Sequence, residues 1–105
     1  MQIIVVRPFT QPKVEEIENT LEAKQAIVGG YIQAIYPWED EIALICNEEG
    51  KLLGLPINRF LWSEDGEPVD YIAGTFLICG APIDSEGFES IPDKLIDKYI
   101  KLFQF

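Results

Sequence analysis

Asn58 and Arg59 stand side by side in the otherwise apolar stretch GLPINRFLW, residues 54–62, and Arg59 is one of only two arginines in the chain. A guanidinium presents five N–H donors in a planar fork suited to carboxylate or phosphate, and the neighbouring amide adds donors and an acceptor able to read a base or a ribose. Buried without partners, that charge would be costly. Two arrangements would satisfy it. One is an ion pair with Asp70 or Asp65 across the connection SEDGEP; the other is an anion bound in a pocket walled by apolar and aromatic groups. Trp62 could stack on a planar ligand, and Thr75 brings a hydroxyl next to Gly74, which marks a bulge or a close backbone approach. The candidate ligand-binding set is therefore Asn58, Arg59, Trp62, Asp70 and Thr75.

Other groups point more weakly to chemistry. Tyr31, Tyr36, Trp38 and Tyr71 lie near turns or strand ends and could stack as well, although aromatics in strands more often fill cores. The carboxylates Glu39, Asp40 and Glu41 are adjacent and cannot all converge on one ion, so they read as a solvated turn. The glycine pair in VGGYI is followed by a strand pattern rather than a helix start, which makes it a helix stop and not a phosphate loop. Cys46 and Cys79 sit within apolar runs without CxxC spacing and read as buried thiols. The chain contains no histidine, which removes imidazole-based zinc sites and His-dependent triads. No catalytic residue, metal or cofactor is expected. An Asp70–Arg59 phosphodiester hydrolase comes third among the readings, because no nucleophile or metal cluster accompanies the pair.

The elements that would hold these residues read as α+β, in one domain spanning residues 1–105 with no repeat or linker. QIIVV is a buried strand ended by Pro8 and Pro12. KVEEIENTLEAKQAIVGG reads as a helix, capped by Thr10 with Pro12 in its first turn, its apolar face made by Val14, Ile17, Leu21 and Val28, and stopped at Gly29 and Gly30. YIQAIYP, EIALICN and KLLGLPINRFL follow as antiparallel strands joined by hairpins, with Pro56 breaking the third or placing it at an edge. YIAGTFLICG is the last strand. SIPDKLIDKYIKLF is a second helix with Ser90 as cap, Pro92 in the first turn and a stripe of Ile91, Leu95, Ile96, Tyr99, Ile100 and Phe103. The expected architecture is an antiparallel sheet of about four to five strands flanked by two helices.

With 105 residues, 48% of them hydrophobic, the chain can bury one core. Its formal charge is −10, shared by both halves, so no broad basic surface for direct nucleic-acid binding can be built. No apolar run reaches membrane-spanning length and the first residues lack a signal-peptide pattern, so a soluble protein of the cytoplasm is expected.

The segments ENTLEAKQAIVGGYIQAIYP, CNEEGKLLGLPINRFLW and EDGEPVDYIAGTFLICG resemble a family of small bacterial and phage proteins, and modules of mobile-element proteins, labelled only as a domain of unknown function. The resemblance runs from about Ile3 to Phe103. VGGYI, GLPINR and DYIAGTF are its most specific parts, and it carries Asn58, Arg59, Asp70, Gly74 and Thr75. It implies a phage or mobile-element setting inside a bacterial host cell, where small acidic proteins commonly inhibit immunity. Two non-enzymatic functions follow as expectations. The first is sequestration of a small anionic nucleotide signal, with Arg59 on phosphate and Trp62 stacking, in a pocket that an oligomer could complete from two copies. The alternative is an acidic mimic of nucleic acid that occupies a basic nuclease of host defence, using Glu15, Glu16, Glu18, Glu39, Asp40 and Glu41.

Overall fold

The computed structural model describes residues 1–105 as an α+β domain in three layers. Five antiparallel strands form the central sheet in the order β2-β1-β7-β4-β3: β1 Gln2–Val6, β2 Lys13–Glu16, β3 Ile32–Ile35, β4 Ile42–Asn47 and β7 Phe76–Gly80. The remaining strands, β5 Ile57–Trp62 and β6 Pro68–Ala73, pair only with each other as a separate ribbon. Helix α1, Leu21–Val28, covers one face of the sheet; helix α2, Asp93–Leu102, and the ribbon cover the other.

The alternation of side chains along β1, β4 and β7 explains the layering, because both faces of these strands are apolar. Ile4, Val6, Ile42, Leu44, Phe76 and Ile78 turn toward Tyr99 and Phe103 of α2 and toward Leu61 and Ile72 of the ribbon. Ile3, Val5, Ala43, Ile45, Leu77 and Cys79 turn the other way, toward Val28 of α1. No helix of the chain is long and apolar enough to cross a membrane.

Several boundaries differ from the reading of the sequence. The first helix does not begin near Thr10: Lys13–Glu16 pairs with β1, Val14 opposite Ile4, and the helix starts only after Thr20, whose hydroxyl accepts the Ala23 N–H at 3.1 Å. The outer edge of β1 needs a hydrogen-bonding partner, and that demand overrides a helical spacing shared by Val14 and Ile17. The stop at Gly29 is as expected, with φ +79 and its N–H on the Gln25 carbonyl. YIAGTFLICG is two strands. Gly74, at φ +85, turns the chain out of the ribbon and into the centre of the sheet. KLLGLPINRFL is strand only from Ile57 onward, after Pro56, and it does not form a hairpin with β4. Ser90 does not cap α2; its Oγ accepts the Gln2 N–H at 2.8 Å, and Pro92 occupies the cap position ahead of the first turn.

Candidate functional site

The ribbon stands over the sheet with a hollow on each side. On the β5 side a groove of about 290 Å³ is lined by Trp38, Asn58, Arg59, Phe60, Leu61, Trp62, Leu102, Phe103 and Gln104. On the β6 side a larger cleft of about 420 Å³ runs between the ribbon and edge strand β3. The candidate set from the sequence is thus divided. Asn58, Arg59 and Trp62 share the groove, Asp70 lines the cleft, and Thr75 sits half-buried at the bend before β7 and lines neither.

Arg59 pairs with no carboxylate. In the ribbon it lies opposite Ile72, while Asp70 lies opposite Leu61, nearer the hairpin tip. Its Nε and Nη2 both donate to the Phe103 carbonyl, at 3.1 and 3.0 Å; Nη2 also donates to the Thr10 carbonyl at 2.7 Å; Nη1 donates to Asn58 Oδ1 at 2.8 Å and to the Asn58 carbonyl at 3.2 Å. These five bonds match the five N–H groups of the side chain. The Phe103 carbonyl ends α2, where orphaned carbonyls carry partial negative charge, so the helix terminus does for the guanidinium what a carboxylate would have done. Burial alone lowers the Arg59 pKa from its ordinary 12.5, and the group keeps its charge. Asn58 completes the arrangement, its Nδ2 donating to the Val6 carbonyl at 2.8 Å and the Gly74 carbonyl at 2.9 Å. The pair therefore joins β1, the Gly74 bend, the β1–β2 loop and the end of α2.

The cleft is built differently. Ile35, Cys46, Ile72 and Ala73 supply apolar surface, Tyr71 an aromatic wall, and Gln33, Glu48, Lys51 and Asp70 its polar groups. Lys51 pairs with Asp70 and lies 4.4 Å from the centre of the Tyr71 ring. Both charged side chains are about half exposed, and a pair so placed contributes no more than about 1 kcal/mol, so Lys51 can be drawn to another anion at little cost. The Gln33 side chain, exposed on β3 opposite Cys46, makes no hydrogen bond within the chain. Burial raises the Cys46 pKa, and burial pushes that of Cys79 up to about 12, so neither thiol is a nucleophile at neutral pH. Lys51 and Gln33 were not among the residues singled out in the sequence. Lys51 lies in the connection that follows β4, Gln33 is on β3 paired to β4, and the ribbon adds the opposite wall that turns their neighbourhood into a cleft.

The acids proposed to imitate phosphates are scattered. Glu15 and Glu16 lie on β2 and Glu39 to Glu41 in the β3–β4 connection, at opposite edges of the sheet. Glu15 is paired with Arg7, Asp40 with Lys98 and the Tyr99 hydroxyl, and Glu41 accepts the Ile83 N–H. Hydrogen-bonding partners hold three carboxyl groups below their ordinary values: the Arg7 cation that of Glu15, the Lys98 cation and then the Tyr99 hydroxyl that of Asp40, and the Lys51 cation that of Asp70. A carboxyl with a lowered folded pKa stabilises the fold fully above its unfolded pKa and loses that contribution as pH falls through the folded one. Stability should thus be level near neutrality and decline below about pH 4, with Asp40→Asn flattening the decline in urea melts. A midpoint indifferent to acid would contradict these pairings.

No curated protein and no solved structure matches the chain. Residues 1–104 match the family model described as a domain of unknown function, DUF3846, and the chain belongs to that family.

Proposed function

We propose that the protein is a non-enzymatic binding protein that takes up and sequesters a small nucleotide-type molecule, of the kind bacteria use as immune signals, in the cytoplasm of a host cell attacked by a phage or mobile element. The observation that carries this reading is the cleft beside β6. It joins an apolar floor and the Tyr71 ring to the unengaged Gln33 amide and to the weakly held Lys51. A base would lie against Ile35, Ile72 and Tyr71, with its edge on Gln33. Lys51 would leave Asp70 for a phosphate, and Asp70 and Glu48 would accept from ribose hydroxyls.

Charge narrows the ligand class. With two carboxylates and one ammonium lining it, the cleft disfavours a triphosphate. Phosphodiesters, which carry one charge per phosphate, suit it better, so cyclic nucleotides should outcompete ATP. The phosphate-binding role belongs to Lys51, since every donor of Arg59 is already used.

Melting and calorimetry in the presence of cyclic di- and trinucleotides, ADP-ribose and ATP test this. A ligand at 100 times its dissociation constant should stabilise the fold by about 2.7 kcal/mol, and Lys51→Ala or Tyr71→Ala should remove the shift. A panel in which no nucleotide alters melting, or a shift that survives Lys51→Ala, would sink the reading.

A further inference from the structure

We infer that the groove beside β5, with the aromatic outer face of the ribbon, docks a basic segment of a partner protein. The groove has a floor of Trp38, Leu61 and Phe103, and its rim of Phe60, Trp62 and Leu102 is 48%, 58% and 52% exposed. Phe60 stands 6.2 Å from both Trp62 and Tyr71, so the apolar rim continues across the ribbon as one aromatic surface. Large aromatics clustered at a concavity are the usual anchors of protein–protein contacts.

Charge identifies the occupant. The hairpin that follows Trp62 carries Glu64, Asp65 and Glu67, all exposed and in no ion pair, whereas the ribbon's own cation, Arg59, is fully engaged. The free charge on the ribbon is entirely negative and lies at the hairpin end. On the other side of the groove, α2 contributes Leu102 to the rim; its charges are mixed, Lys94, Lys98 and Lys101 with Asp93 and Asp97, and Lys98 is held by Asp40. A segment with an apolar anchor in the groove and lysines or arginines toward the hairpin matches both the aromatic rim and the free carboxylates, and its cations can also sit over the Trp62 and Phe60 faces. A second copy of the chain fits poorly, because it brings another charge of −10.

The test uses isotope-labelled protein and a short synthetic peptide with a Phe-Leu anchor followed by a run of lysines. Saturable binding should shift the Trp62 indole resonance and weaken with salt. It should fall about tenfold or more for Trp62→Ser and for the charge reversal Glu64→Lys with Glu67→Lys. Because the substituted side chains are exposed, both variants should melt like the parent, and the reversal at the turn gives a reading independent of packing. Four results would overturn the proposal: binding undiminished by these substitutions, equal binding of a peptide whose anchor is replaced by serines, resonance shifts confined to other surfaces, or a dimer in sedimentation that Trp62→Ser dissociates.

Discussion

Replacing Arg59 by alanine should destabilise the fold by about 2–4 kcal/mol in urea unfolding. The variant loses five hydrogen bonds and leaves the Phe103 carbonyl, Asn58 Oδ1 and the Thr10 carbonyl to whatever water can reach them. Each bond from a charged donor contributes about 1.5–3 kcal/mol, but the bonds share one side chain and water reaches the exposed Thr10, so their sum is not recovered. Arg59→Lys should restore well under half of the loss, since an ammonium cannot hold the Phe103 carbonyl with two donors and also span to Thr10 and Asn58. If instead alanine leaves the midpoint within about 0.5 kcal/mol of the parent, the end of α2 does not depend on this contact.

Phe103→Ala should have the larger effect, a loss of about 3–5 kcal/mol. The ring is 3% exposed, 5.2 Å from that of Phe76 and 5.9 Å from that of Trp38, so truncation opens a cavity between helix and sheet that neither neighbour can fill without leaving its own packing. Phe103→Leu should cost much less, because it keeps most of the volume. Thermal and urea unfolding of both variants measures this. An alanine variant within about 1 kcal/mol of the leucine one would mean that the site collapses around the smaller side chain.

The elements legible in the sequence are those whose own residues decide them. β4 and β7 are apolar on both faces, α2 carries an uninterrupted stripe, and Gly29 supplies the left-handed residue that a helix end favours. β2 was hidden because its pairing is decided by β1, an element with which it shares no local pattern. The division of β6 from β7 was hidden because Gly74 interrupts an apolar run without changing its composition. The candidate site was legible in part. Asn58, Arg59 and Trp62 do meet in one groove, yet the partners of Arg59 are mainly backbone carbonyls. A carbonyl belongs to every residue, so no reading of side-chain types could have named them. Lys51 and Gln33 become part of a cleft only because the ribbon supplies Asp70 to Ala73 as its opposite wall, and the Gly74 turn sets where that wall stands.

That turn makes the ribbon a partition between two chambers. One side of it walls the cleft through Asp70 to Ala73, and the other walls the groove through Asn58 to Trp62. A sideways shift of the partition that widens one chamber narrows the other, so two occupants that favour opposite positions of the ribbon would feel each other without touching. Thermodynamic reciprocity fixes the form of that influence: the factor by which the first changes the affinity of the second equals the factor by which the second changes that of the first.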